Sequence, residues 1–253
     1  MTATTGIPTD APRSVLRVSG PEARDFLQNL VTNDLGKLSQ GLVYAALLTP
    51  QGKYRADFFL VPRPEGSILI DVAAPLAADL ARALTLYKLR AKVDLEETDI
   101  QVTRGTGATP EGAFADPRDT SLGWRGYDGQ PDEDADWEAL RVAACVPESG
   151  VELTPDTFIL EAGFERLNGV DFKKGCFIGQ EVVARMKHKT ELRKGLVPVE
   201  VSGDAPVGTP VETGGKPAGT LYTQSGGRGL AFLRFDRSQG EMTAGEATLR
   251  RTS

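Results

Sequence analysis

The chain has 253 residues, a formal net charge of −6, 40% hydrophobic residues and 25% charged residues. That length buries a sizeable core in two or three domains, and the acidic balance argues against broad nucleic-acid binding, which needs extended positive surface. Two cysteines, Cys145 and Cys176, and one histidine, His188, exclude a disulfide framework and any self-sufficient zinc or iron–sulfur site, so no metal ligands are assigned. The cysteine usage suits a reducing compartment, and no apolar run reaches transmembrane length. The opening MTATTGIPTDAPRS reads as a loose leader rather than a secretory signal, which predicts a cytoplasmic protein.

Ser14–Val18 alternates as a strand, and Pro21–Leu30 follows as a helix with Ala23, Phe26, Leu27 and Leu30 on one face. Asn33 and Asp34 come next, either as ligand-lining residues or as the turn that ends the helix. Leu42–Thr49 and Tyr54–Val61 form a hairpin across the turn Pro50–Lys53, and Ser67–Val72 is a further strand. Ala77–Tyr87 is helical, and Ala91–Glu96 and Ile100–Arg104 read as strands. Gly105–Asp136 is loop-rich, with an acidic cluster of Asp132, Glu133, Asp134 and Asp136 that precedes a helix over Trp137–Ala144. After Gly195 short apolar runs are divided by glycines without helical periodicity, which predicts a small antiparallel barrel. Strands paired around helices without strict βαβ alternation give an α+β class. The domain division is 1–195, as two interwoven lobes, and 196–253.

The chemistry concentrates in Phe172–Lys194, where Lys173, Lys174, Arg185, Lys187, Lys189, Arg193 and Lys194 face only Glu181 and Glu191. Ile178, Val182, Val183 and Met186 recur at helical spacing, so a helix begins near Gly179 and runs to about Lys189, with Glu181 able to pair with Arg185. Cys176 then sits just before a helix start, between Gly175 and Gly179 and beside Lys173 and Lys174, a setting that suits a reactive cysteine. The competing reading is a small buried apolar residue, the commoner fate of a free cysteine. His188 reads as a surface residue of the basic helix rather than a general base.

Lys174-Gly175-Cys176-Phe177-Ile178-Gly179-Gln180-Glu181 resembles the K-G-C-[FY]-x-G-Q-E signature of the YgfZ family, folate-binding proteins similar to the glycine-cleavage T-protein that include the mitochondrial iron–sulfur assembly factor. The opening LRVSGPEARDFLQNLVTNDL, the element Phe114-Ala115-Asp116-Pro117-Arg118, and Leu140-Arg141-Val142 fall in the same order as in that family. The resemblance implies a T-protein-like N-terminal region of antiparallel sheets with helices (ferredoxin-like lobes) and a C-terminal barrel. It implies a reduced folate, tetrahydrofolate or a derivative, held by Asn33, Asp34, Lys174, Gly175, Gly179, Gln180, Glu181 and Arg185, with Cys176 as the functional group. Partners would be iron–sulfur assembly proteins or client enzymes, with no membrane, no direct nucleic acid, and at most an indirect link to tRNA modification.

Two departures bear on activity. The T-protein's catalytic acidic pair falls on Arg55 and Ala56, with Asp57 offset by one residue and so facing the other side of a strand. Aminomethyl transfer is therefore disfavoured, because neither side chain can accept a proton from folate. The pterin-binding glutamate falls on Ala143, with Glu161 or Glu165 as the residues that could compensate. The alternatives are a folate-dependent one-carbon enzyme and a non-catalytic interaction module that has lost folate.

Overall fold

The computed structural model describes residues 11–189 and 191–252. The leader read at the N-terminus lies, through residue 10, outside them. The chain divides into two compact units, one of residues 11–135 and 164–184, the other built from 136–163 and the segment from 185 onward. Among the described residues no helix is long and apolar enough to cross a membrane.

The first unit is organised by an antiparallel five-stranded sheet. Its strands are β1 (Arg13–Ser19), β2 (Val43–Leu48), β3 (Tyr54–Pro62), β4 (Ile68–Ala73) and β5 (Asp94–Thr98), in the order β2-β3-β4-β1-β5. Helices α1 (Ala23–Gln28) and α2 (Ala74–Lys88) cover one face. Leu16, Leu47, Ala56, Phe58, Leu60, Ile70 and Val72 form the core there with Leu27, Leu80 and Leu84. The period of two sends the intervening residues Tyr44, Asp57, Phe59 and Asp71 to the opposite face. Every residue of β2 and β4 is buried, so both faces of the sheet are covered.

The second face is covered by the stretch that reads as loop-rich in the sequence. That stretch contributes β7 (Phe114–Ala115) and β8 (Trp124–Gly126) to a small antiparallel sheet whose third strand, β6 (Thr103–Gly105), overlaps the predicted strand Ile100–Arg104. Strands as short as β7 and β8 carry too few residues for alternation to show. Asp71 on β4 accepts from Arg13 Nε at 2.6 Å, Arg125 Nη1 at 3.1 Å and the Tyr127 hydroxyl at 2.8 Å. Asp116 accepts from Arg118 Nη2 at 2.8 Å and Arg125 Nε at 3.3 Å. The guanidinium groups of Arg125 and Arg118 lie 4.1 and 4.7 Å from the centre of the Phe59 ring. The Asp116-Pro117-Arg118 element is thus a structural staple between the small sheet and the large one. Burial alone would raise the pKa values of Asp71 and Asp116, but the neighbouring arginines hold both below the usual carboxylate value.

In the other unit α3 (Trp137–Ala143) precedes α4 (Gln180–Lys189) in sequence, and α4 starts in the first unit and runs into the second. The barrel comprises β9 (Lys194–Ser202), β10 (Thr209–Thr213), β11 (Lys216–Ser225), β12 (Arg228–Arg234), β13 (Met242–Ala244) and β14 (Ala247–Arg251). It closes in the order β10-β11-β12-β9-β14-β13, which leaves no free sheet edge. Val199, Val211, Leu221, Ala231, Leu233 and Leu249 fill its interior. Val142 of α3, and Cys145 just beyond the helix, pack against it on Leu230. Buried Arg141 donates to the Thr223 hydroxyl at 2.6 Å and to Glu152 at 3.2 Å. The predicted class, antiparallel sheets with few helices followed by a closed barrel, is the observed one.

Candidate functional site

The cysteine loop is fastened along the segment that leaves α1. Asn33 Nδ2 donates to the Asn168 carbonyl at 2.6 Å, and Thr32 Oγ1 donates to that of Gly169 at 2.7 Å. The Asp171 amide donates to the Thr32 carbonyl at 3.0 Å, and the Ile178 amide reaches the Leu30 carbonyl at 3.4 Å. Lys174 is buried, and its ammonium donates to the carbonyls of Gln28, at 2.6 Å, and Val31. Burial lowers its pKa from 10.5 to about 8, against the opposing pull of Asp34 and Asp171.

These bonds give Asn33 and Asp34 partners within the framework. Asn33 is buried, and both ends of its amide are engaged. Nδ2 also donates to the Tyr44 carbonyl at 2.8 Å, and Oδ1 accepts from the Asp34 amide and from Lys37 Nζ, each at 2.9 Å. Asp34 caps the 3₁₀ turn Leu35–Ser39 by accepting from the Gly36 amide at 2.8 Å. Both are framework. Asp171, the loop's own turn residue, accepts from the Lys173 amide at 2.7 Å and pairs with Lys37 at 2.7 Å. Its partial burial would raise its pKa, but Lys37 and the backbone amides of Lys173 and Lys174 hold it low.

The other flank rests on the β2–β3 turn. A Cβ on Gly179, where φ is +80°, would stand 2.7 Å from the Thr49 carbonyl oxygen, and one on Gly52 would stand 2.7 Å from Val182 Cβ. Only a glycine pair lets the turn and the start of α4 approach this closely. Gly179 therefore serves backbone packing. Gly175 has no atom within 4 Å of the position a Cβ would take, so it stands in open space.

Between these two attachments Cys176 is exposed, whereas Cys145 is buried. The thiol is not a sealed core residue. Helix α4 begins four residues later, close to the predicted start. Gln180 is half-buried at its first turn, and Glu181, Arg185 and His188 are exposed along it. The structure thus brings Asn33, Asp34 and Lys174 together as a scaffold and leaves Gly175, Cys176, Glu181 and Arg185 facing outward.

A cavity of about 490 Å³ in the first unit is lined by Asn33, Lys37, Tyr44, Phe114, Pro117 and Asn168 among others. Cys176 and Lys174 do not line it, and neither does any carboxylate. A pterin edge presents a row of donors that a paired acceptor reads well. Position 143 offers only an exposed methyl group, Glu161 pairs with Lys194 at 3.6 Å, and Glu165 is exposed. Of the residues assigned to folate, Asn33 lines this cavity and the others do not.

Reading single positions in sequence passed over Lys37, Tyr44, Asp171 and the environment of Asp57. Asp57 is buried on the face opposite Ala56, as strand parity requires. It accepts from the hydroxyls of Tyr44 at 2.9 Å and Tyr54 at 2.7 Å. Burial, and then Asp57, pushes the Tyr44 pKa well above its ordinary value. The signal for this pairing was cross-strand: Ala46 lies opposite Asp57 in the ladder, which brings the tyrosine two residues before Ala46 into reach.

A sheet covered on both faces and followed by a closed barrel is the architecture of the T-protein fold. The crystal structure of glycine cleavage system aminomethyltransferase T from Bartonella henselae superposes with a TM-score of 0.76 over 95% of this chain and 83% of that one, at 15% identity. At that identity the likeness concerns fold alone. Residues 193–252 match the family model described as the CAF17 C-terminal beta-barrel domain. The mitochondrial iron–sulfur cluster assembly factor IBA57 of Homo sapiens is 31% identical over 276 residues, covering 91% of this chain and 78% of the relative. Its Mus musculus counterpart is 30% identical with the same coverage. The chain belongs to the CAF17/IBA57 family, related to YgfZ, whose members in these comparisons are iron–sulfur cluster assembly factors. The expected cytoplasmic location is corrected by the same finding, because these relatives are mitochondrial. The leader's lack of a secretory pattern speaks only to secretion.

Proposed function

We propose that this chain supports the assembly or repair of iron–sulfur enzymes through the thiol of Cys176, offered to an iron–sulfur assembly protein or client enzyme. The observation that carries this reading is the exposed sulfur at the tip of a loop whose flanks are buried and hydrogen-bonded. With Cys145 buried, the chain presents a single thiol. It can act as nucleophile, redox group or one transient ligand to a cluster passing between proteins, and the partner supplies the remaining ligands. Cys176→Ser is expected to fold normally and fail to restore iron–sulfur enzyme activity in a deletion strain; full restoration would remove Cys176 from the function.

Reduced folate, implied by the family resemblance, enters as a ligand to be titrated. Calorimetry with tetrahydrofolate and its polyglutamates would add folate to the function if binding is saturable and weakens with salt. An absence of heat would leave the thiol acting with its protein partner alone. Aminomethyl transfer is not part of the reading, since Arg55 and Ala56 stand in place of the acidic pair. A glycine-cleavage assay with lipoyl carrier protein is expected to show no turnover.

A further inference from the structure

We infer that Lys174 is the positioning residue for Cys176: its ammonium locks the cysteine loop to the C-terminal end of α1 and so fixes where the thiol stands. The inference rests on Cys176 being the working group. A helix leaves its last carbonyls without intrahelical donors, and that end attracts positive charge. Lys174 meets both conditions at Gln28, the last residue of α1, and also donates to Val31 three residues beyond it, across 146 and 143 residues of sequence.

A lysine that is only 7% exposed is rare unless its charge is compensated. Here two carbonyls receive its protons, and Asp34 and Asp171 are close enough to act on its charge. Phe177, also 7% exposed, follows the thiol and lies 5.4 Å from the ammonium. Only Gly175 and Cys176 bridge these two buried anchors, and both are exposed. A two-residue bridge has little freedom of its own, so the location of the sulfur follows from the anchors. The lysine of this motif therefore does not present its charge to solvent beside the thiol. Its charge is directed inward and acts on geometry.

The test attaches a nitroxide to Cys176 of the full chain, with Cys145 protected by burial and single labelling verified by mass. The wild-type spectrum is expected to show a restricted label and Lys174→Met a mobile one. Lys174→Arg, which keeps the donors, is expected to return the spectrum toward restriction. Misplacing a reacting group by about 1 Å can cost ~100-fold, so Lys174→Met is expected to restore iron–sulfur enzyme activity at least about tenfold less well than wild type. A folded Lys174→Met with wild-type label mobility, or with a mobile label and full activity, would overturn the inference. Should Lys174→Met fail to fold, nitrogen-15 NMR of the wild-type lysine ammonium groups decides. Lys174 protons protected from solvent exchange support the lock, and protons exchanging as fast as those of surface lysines refute it. Failure of the functional reading looks different, because it would appear as full activity in Cys176→Ser whatever the label reports.

Discussion

Two polar constellations in the first unit invite comparison. Behind the sheet, Arg13, Arg118 and Arg125 surround Asp71 and Asp116, and both carboxylates accept from arginine. On the cysteine loop the same kind of economy fastens Thr32, Asn33, Asp171 and Lys174, yet the fastened segment ends in an exposed sulfur. The first constellation joins the two sheets of the unit. The second holds one thiol outward. Density of charge therefore says less about function than where the bonding stops.

The largest expected effect lies in the closed network. Arg125→Met removes a side chain that bonds both carboxylates and should cost about 3–5 kcal/mol in urea unfolding. A loss under about 1 kcal/mol would show that the network is dispensable.

Acid should attack the same region. Asp71 and Asp116 have native pKa values below the ordinary 3.8, so their contribution is complete above that value and is lost as pH falls through the lower native values. Stability measured between pH 5 and pH 2 should fall, and the slope should be shallower in Asp71→Asn than in wild type.

Gly179→Ala comes next. It meets both an unfavourable backbone conformation and the Thr49 carbonyl, and should destabilise by about 1–3 kcal/mol. It should also shift the cysteine loop, visible as a changed alkylation rate at Cys176. Gly175→Ala, facing open space, should change stability by no more than about 0.5 kcal/mol. Equal costs at the two glycines would erase the distinction between the packed flank and the free tip.

What could be read from the sequence followed from local pattern. Alternation in Ser14–Val18, the hairpin read over Leu42–Thr49 and Tyr54–Val61, and the glycine-divided tail located the sheet and the barrel, and the spacing Ile178, Val182, Val183, Met186 located α4. Parity correctly separated Ala56 from Asp57. The rest depends on pairs far apart in the chain, such as Lys174 with Gln28 and Arg125 with Asp71, which no local window contains. For that reason Asn33 and Asp34 read equally as ligand-lining residues and as a turn until their partners were seen. The exposed position of Cys176 was one of two open readings for the same reason.

The comparison of the two cysteines tests the account most directly. Cys176→Ser and Cys145→Ser should be placed side by side in a strain lacking this protein, with iron–sulfur enzyme activity and melting temperature both measured. The account predicts that Cys176→Ser melts like wild type and restores little activity, whereas Cys145→Ser melts lower, because a hydroxyl replaces a buried thiol, and restores activity in proportion to the folded protein. Full activity from Cys176→Ser, or loss of activity confined to Cys145→Ser, would contradict it.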